Sequence, residues 1–434
     1  MPRDRGPFWA VLAVLFAITA CGGGESVAEK EATLANAAAT ALARLPTPTP
    51  SPTPVPTPTP PPTSTPLPLP TRLPPPTPDP SGLDPDNPEL IDIGDPPAGW
   101  AGIQPIESAL EFHSLSPLRN GRAVVIGGKN ADGGAVDTVQ IYDSESNSWS
   151  SGPRMDVSRY LHSASVLPNG DVLVAGGWGV NFIILSSTRI YCAASESWED
   201  APSLRNRRVA HKAVAFPDGS AIVTGGWDGV PLASTERYDP VEKLWRPTGD
   251  MLEARFDHTL TLLPDGRVLA VGGEGEGDER LKSAEIFDPA SGKWEPTGSL
   301  FEARYQHSAS LLPDGRVIVT GGWEEEFRSS TEVWDAGTGE WTTTGSLSTA
   351  RSQHAGAQLP GGYYVVAGGL NADGLIGQSE AYDWRIDEWV DSGELRQARF
   401  KHAGIVLDNG RLLLVGGMTS TGLTRSSETA RYAE

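Results

Sequence analysis

One spacing pattern repeats through the last three quarters of this 434-residue chain and limits what it can fold into. Each unit has a histidine, a Trp 13 residues before it, and a Gly-Gly pair that begins 14 residues after it. A fixed period of about 20 to 50 residues indicates an array of one supersecondary unit rather than several unrelated domains. The pattern includes every histidine of the chain: His113, His162, His211, His258, His307, His354 and His402.

The residues between these markers indicate short β-strands. In the fifth unit, Arg304 and His307 precede a first strand, and Pro313-Asp314-Gly315 forms a turn into an apolar run that ends at Gly321-Gly322. Asp-Gly turns between such runs favour β-hairpins, because both central residues can adopt positive φ. Four short strands per unit of 47 to 49 residues predict an all-β fold, a seven-bladed β-propeller with four antiparallel strands per blade.

The two ends of the repeat region are complementary. The last unit stops near Tyr432 and lacks a fourth strand and its Trp, whereas the first unit has a surplus Trp100 at the usual distance before His113. We therefore expect a strand near Trp100 to complete the seventh blade and close the ring. All length variation falls between the second Gly and the next aromatic residue, which places the variable loops between the second and third strands.

These markers resemble the kelch motif. The Gly-Gly pair, the aromatic residue followed by Asp, the Trp seven residues later and the Arg-x-x-His opening all recur between residues 100 and 434. The resemblance extends to the central domain of galactose oxidase and implies the propeller fold. It implies little about activity, because kelch propellers serve as binding modules, as scaffolds and occasionally as enzymes.

The N-terminus resembles a bacterial lipoprotein signal peptide. Arg3 and Arg5 precede an apolar stretch from Phe8 to Ala20, which is too short to span a bilayer well and ends at Cys21. We expect residues 1–20 to be a signal peptide and Cys21 to be lipidated, so that the propeller is extracellular and anchored to the outer face of the cell membrane. An ordinary signal peptide that is cleaved elsewhere is the alternative.

Two segments separate this signal from the propeller. Residues 21–45 form an Ala-rich tether, residues 46–98 a Pro/Thr-rich linker, and residues 99–434 the propeller. The proline-rich stretch 46–80 favours polyproline II, with a reach of roughly 110 Å. Cys192 is the only other cysteine, so with Cys21 lipidated no intrachain disulfide is expected and stability must come from packing between repeats.

Charge narrows the range of partners. The formal net charge is −21, which disfavours nucleic acid as a partner. We predict a monomer that binds an extracellular protein or a glycan through its variable-loop face.

Two residue sets are the candidates for ligand binding. Arginines three residues before the histidine lie at the same end as the variable loops. They either pair with carboxylates such as Glu236, Glu285, Glu332 and Glu380, or form a basic ring for an anionic ligand. Peptide-binding kelch propellers are similar in using arginines at this end. The arginines are Arg159, Arg208, Arg255, Arg304, Arg351 and Arg399.

Tryptophans that directly follow Gly-Gly form the second set. They either contact a ligand or pack beneath the loops. They are Trp178, Trp227 and Trp323.

No catalytic residue, metal or cofactor is predicted. The histidines are expected to form structural hydrogen bonds rather than a metal ring, because side chains on the inner strand of a propeller blade face the adjoining blade. A copper-radical oxidase of the galactose oxidase type needs a Cys-Tyr crosslink, but Cys192 and Tyr191 are sequence neighbours that face opposite ways on a strand. An extracellular carbohydrate-active enzyme, either of this oxidase type or a sugar epimerase or lyase, is the alternative function. Calcium at an acidic turn (130–133, 274–279 or 371–374) also stays open.

Overall fold

The computed structural model describes residues 99–430, which form seven four-stranded antiparallel sheets. The inner strands are Ser114–Pro117, Ser163–Val166, Lys212–Ala215, Thr259–Leu262, Ser308–Leu311, Ala355–Gln358 and Ala403–Val406. The second strands are Arg122–Ile126, Val172–Ala175, Ala221–Thr224, Val268–Val271, Val317–Thr320, Tyr364–Ala367 and Leu412–Val415. The predicted seven-bladed propeller is confirmed.

The outer half of each blade continues the meander. The third strands are Val139–Asp143, Thr188–Cys192, Thr235–Asp239, Ala284–Asp288, Thr331–Trp334, Gln378–Asp383 and Ser427–Ala430. The fourth strands are Ser148–Ser151, Ser197–Ala201, Leu244–Pro247, Lys293–Pro296, Trp341–Thr343, Glu388–Glu394 and Ala101–Ile103. Blades are numbered 1 to 7 in this order.

Short elements occur only in the variable loops of the described residues. Single 3-10 turns at Val180–Phe182 and Glu276–Asp278 lie in blades 2 and 4. Two-stranded ribbons, Leu370–Asn371 with Gly374–Leu375 and Met418–Thr419 with Gly422–Leu423, lie in blades 6 and 7. No helix between residues 99 and 430 is long and apolar enough to cross a membrane.

The N-terminal strand closes the ring, as predicted. Ala101 pairs with Thr429 and Ile103 with Ser427, which makes Ala101–Ile103 the fourth strand of blade 7. The indole of Trp100 donates a hydrogen bond to Ser379 Oγ of blade 6 at 2.9 Å. The equivalent Trp294 of blade 4 donates to Thr235 Oγ1 of blade 3, so the N-terminal strand has the contacts of an ordinary fourth strand.

The register of blade 7 corrects one detail of the repeat. We expected Tyr432 at the aromatic position of the last unit, but Leu412 pairs with Ala430, just as Ala221 pairs with Tyr238 in blade 3. Ala430 therefore occupies that position, and Tyr432 lies outside the described residues. Ala430 and Trp100 share one hydrophobic cluster, so a small residue stands where the other blades place an aromatic ring.

The hydrophobic core is divided into seven clusters, each formed between two adjacent blades. Between blades 2 and 3, for example, Leu173 and Ala175 pack with Val223, Tyr238 and Trp245. Second strands are apolar on both faces because each one faces a neighbouring blade on either side. Cys192 is a free thiol at the margin of this cluster.

The predictions for Cys21, the tether 21–45 and the linker 46–98 lie outside the described residues. They remain expectations from the sequence.

Candidate binding face

The six repeated arginines are completely buried, and each reaches into its own blade. In blade 5, the Arg304 guanidinium donates to the Gly321 carbonyl at 2.9 Å and to Glu332 at 2.6 Å. The same ion pair recurs in blades 3, 4, 6 and 7, between Arg208 and Glu236, Arg255 and Glu285, Arg351 and Glu380, and Arg399 and Glu428. The carboxylates are almost completely buried too.

The arginine backbone ties each blade to the preceding one. In six of the seven Gly-Gly pairs the second glycine donates its N–H to the carbonyl of the next blade's arginine, as Gly273 does to Arg304 at 2.9 Å, and in the seventh Gly417 donates to the Leu110 carbonyl. Gly272 and Gly273 adopt positive φ of 59° and 99°. A Cβ on Gly272 would lie 2.6 Å from the Arg304 carbonyl oxygen. The pair is therefore glycine for steric reasons.

Blades 1 and 2 depart from the ion pair. Blade 1 has Leu110 and Gln140 at the two positions, both buried. Blade 2 keeps Arg159 but has Arg189 where a carboxylate would be, and burial lowers the pKa of Arg159 to about 10. Arg189 turns outward to pair with Asp156 and Asp200. In blade 1, where the arginine is absent, the buried carboxylate is absent as well, so that no carboxylate is left at this position without its cation.

This geometry corrects the hypothesis of a basic ring around the channel mouth. Six guanidinium groups with no exposed surface have no free face for an anionic ligand. The other interpretation, internal ion pairing, accounts for five of the six, and it adds Glu428, which sequence reasoning had missed because the register near Tyr432 was misplaced. We therefore place Arg159, Arg208, Arg255, Arg304, Arg351 and Arg399 in the structural frame.

The histidines also belong to this frame. They lie immediately before the inner strands, not within them, and several bond a hydroxyl group of the preceding blade. His211 Nε2 lies 2.8 Å from Ser163 Oγ, and His354 Nε2 lies 2.6 Å from Ser308 Oγ. Burial lowers the pKa of all seven, to about 4 for His113 and about 3 for His402. Five of these neutral imidazoles hydrogen-bond a group of the preceding blade, which gives them a structural role.

The described residues do not offer a metal site of the usual kind. Between residues 99 and 430, no three His, Cys, Asp or Glu side chains gather closely enough to hold an ion. In two of the three acidic turns an asparagine side chain holds the turn itself: Asn130 Oδ1 accepts from Gly134 N–H, and Asn371 Oδ1 accepts from Asp373 N–H, both at 2.9 Å. Tyr191 is buried in its blade, whereas the adjacent Cys192 is half-buried.

The residue before each histidine forms a feature that the sequence did not reveal. All seven are non-glycine residues with left-handed φ between 49° and 55°. They follow one another around the channel mouth, where Leu161 N–H donates to the Phe112 carbonyl and Ala210 N–H to the Leu161 carbonyl. The seven are Phe112, Leu161, Ala210, Asp257, Gln306, Gln353 and Lys401; we call them the mouth ring.

The backbone conformation of the mouth ring repeats in every blade, but the chemistry of its side chains does not. Phe112, Leu161 and Ala210 are apolar, whereas the other four members are polar or charged, and all seven are half-buried. Lys401 Nζ lies 4.7 Å from the centre of the Phe112 ring, and the Gln353 amide donates to Gln306 Oε1 at 2.9 Å. Each member tolerates a strained backbone, while its side chain is free to differ from blade to blade.

The three loop tryptophans lie beside this ring and are half-buried. Trp178 and Trp227, from adjacent blades, pack with ring centres 5.9 Å apart, and Phe182 meets Trp178 edge-on at 6.3 Å. Trp323 packs against Tyr305 at 5.7 Å, and both rings face the Arg280 guanidinium. Trp178 and Trp227 thus combine packing beneath the loops with partial exposure.

Exposed apolar side chains are concentrated at the variable-loop end. Of nine large hydrophobic side chains that are exposed between residues 99 and 430, six lie there, in a run from blade 2 to the junction of blades 4 and 5. The variable loops of blades 6, 7 and 1 contribute none of these six. The six, here called the apolar arc, are Val180, Phe182, Ile183, Val230, Leu252 and Phe301.

The fold and this face define a class: a seven-bladed β-propeller with a closed, buried frame and one chemically varied end. The kelch motif matches residues 119–156, 208–252 and 261–300. The chain is a kelch-repeat propeller.

Solved structures with a similar fold are numerous, with 1096 matching chains. A fungal alcohol oxidase of the AA5 family, solved in complex with copper, has a TM-score of 0.66 and 15% identity, over 77% of this chain and 76% of its own. At that identity the likeness concerns the fold alone. No curated protein matches this chain.

Copper does not fit the described residues. Their histidines are held between blades, and no three His, Cys, Asp or Glu side chains gather around one point from residue 99 to residue 430.

Proposed function

We propose that this propeller is a binding module that docks an extracellular protein or a glycan on its variable-loop face. The observation that carries the proposal is the one-sided distribution of exposed apolar side chains, with Phe182 at 65% and Phe301 at 62% exposure. Rigid aromatic anchors of this kind supply much of the binding energy in interfaces. Contiguous exposed apolar surface on a soluble domain is typical of an interaction site.

The division of labour in the fold supports the same proposal. Frame residues are buried and committed to contacts between blades, so that substituting them alters folding first. Loop and mouth-ring residues contribute side chains that the frame does not need. Sites carried on variable loops above a rigid scaffold are a common way to bind ligands.

The N-terminal sequence suggests where this binding takes place. If Cys21 carries lipid, the propeller is held outside the cell membrane at the end of a proline-rich linker. A Cys21→Ser variant should then be released into the medium or retained as an uncleaved precursor. A variant that stays in the membrane fraction in processed form would rule out this anchor.

Paired variants test the binding role. The purified chain is screened against arrayed glycans and secreted proteins. Retained ligands are then measured against Phe182→Ser/Phe301→Ser and against Val241→Ser/Ile386→Ser. The second pair is also exposed, at 89% and 54%, but lies in third-to-fourth-strand turns at the opposite end. We expect only the first pair to weaken binding, by about tenfold or more. Equal effects of the two pairs would exclude the variable-loop face.

The enzymatic alternative has its own readout. Metal analysis of the purified chain, combined with oxidase assays on sugar alcohols after addition of copper, should give neither bound copper nor turnover. One copper per chain, together with turnover, would replace the binding module with an oxidase.

A further inference from the structure

The variable-loop face is chemically divided between neighbouring blades. In blades 2 and 3 the loops expose Val180, Phe182, Ile183 and Val230. In blades 4 and 5 the loops are acidic. Their exposed carboxylates are Glu276, Asp278, Glu279, Glu325 and Glu326. Blades 2 to 5 are consecutive around the ring, with adjacent inner strands in contact, so that the apolar part leads directly into the acidic part.

A cleft of about 550 Å³ lies between blades 4 and 5 within the acidic part. Four glutamates line it, Glu253, Glu279, Glu302 and Glu324, together with the exposed Phe301. Three cations line the cleft as well: Arg328 pairs with Glu302 and Glu324, Arg280 pairs with Glu274, and Lys282 is exposed. The four glutamates therefore exceed the cations of the lining by one charge. The size is that of an ordinary ligand site, roughly 300 to 1,000 Å³.

On the opposite side of the channel mouth, the local charge is positive rather than negative. At the junction of blades 7 and 1, the buried carboxylate of Glu111 lies 3.2 Å from Lys129 Nζ and 3.3 Å from Lys401 Nζ. Two ammonium groups share one carboxylate there. A cationic ligand is therefore directed away from blades 7 and 1 and toward blades 4 and 5.

We propose that the natural occupant of this face is a basic segment of a protein. Its apolar side chains lie over blades 2 and 3, and its lysines or arginines enter the cleft and loops of blades 4 and 5. This inference rests on the proposed binding function and specifies its partner. Charge complementarity selects the occupant: five exposed carboxylates repel anionic glycans and attract the ammonium or guanidinium groups of a basic segment.

The test uses a defined probe and variants matched in charge. The probe is a synthetic peptide of about twelve residues that alternates lysine with leucine and tryptophan. Glu276, Glu279, Glu325 and Glu326 are changed to Gln in one variant of the full chain. The matched control changes Glu145, Glu242, Glu340 and Glu388 to Gln; these residues are equally exposed, but they lie in third-to-fourth-strand turns or strand starts at the opposite end. Both variants lose the same charge.

The expected result is a dissociation constant that rises about tenfold in the loop variant and less than about twofold in the control, with the difference shrinking as salt increases. Equal weakening in both variants means non-specific attraction to an acidic protein and overturns the proposal. A peptide that does not bind also overturns it, even if ligands from the screen still depend on Phe182 and Phe301; in that case the binding module stands and its partner is not basic. Melting temperatures of both variants verify folding.

Discussion

The structural frame and the variable-loop face are built from the same seven repeats but follow opposite rules. In the frame, Arg304, His307 and Gly321 are buried, and they have counterparts of the same type in nearly every blade. On the face, the mouth ring keeps its backbone φ in every blade, yet its side chains range from Phe112 to Asp257 and Lys401. The difference teaches that a repeated residue type in this chain marks packing. Under the proposed binding function, the side chains that contact a ligand lie where only the backbone conformation repeats.

Opening the ring should cause the largest loss in the free energy of unfolding. Deleting residues 96–104 removes the fourth strand of blade 7 and the indole of Trp100, which bonds to Ser379. Burial of one Trp contributes about 3 to 5 kcal/mol and each strand hydrogen bond about 1 kcal/mol. The free energy of unfolding should therefore fall by more than about 5 kcal/mol, with a sharp drop in melting temperature by calorimetry.

A deletion of equal length within the linker, residues 60–68, is the control and should leave the melting temperature unchanged. If the deletion of 96–104 also leaves it unchanged, the ring is not closed by this strand.

Breaking one of the buried ion pairs should cause the next largest loss of stability. Arg304→Ala leaves the carboxylate of Glu332 buried without its partner, at a cost of about 3 to 5 kcal/mol in urea denaturation. Blade 1 provides the matched rescue: Arg304→Leu with Glu332→Gln reproduces Leu110 and Gln140 and should recover most of the loss. A double variant no more stable than the single one would mean that the arginine acts through its bonds to the backbone rather than through charge.

Each buried histidine should make a smaller contribution to stability, and this contribution should depend on pH. The folded-state pKa of His307 lies well below 6.5 because of burial, so the unfolded chain binds the extra proton. Stability is fully present above pH 6.5 and declines as the pH falls below it, by about 1.4 kcal/mol per pH unit for each histidine. Between pH 6 and pH 5, unfolding of His307→Gln should have a shallower pH dependence than the parent chain by that amount. Equal slopes would mean that His307 titrates normally.

The sequence was sufficient to predict the frame because a contact that recurs in every blade places the same residue type at the same spacing along the chain. Trp100 was identified as the anchor of the missing strand by counting back from His113. The mouth ring was not predicted, because residues as different as Ala210 and Lys401 have no common signal and their left-handed φ is visible only in three dimensions. Burial of the arginines in ion pairs was only one of two interpretations, the other being an exposed basic ring. Spacing gives the position of a residue along the chain but not how deeply its side chain is buried.

The central claim is that binding takes place on the variable-loop face, and hydrogen–deuterium exchange with a bound ligand tests it most directly. The account predicts that protection appears in the loops 178–184, 226–232 and 274–280, while the Asp-Gly turns at 217–219 and 264–266, at the opposite end, exchange as in the free protein. Protection of those turns, or of the outer strands alone, would contradict the account and move the site elsewhere on the propeller.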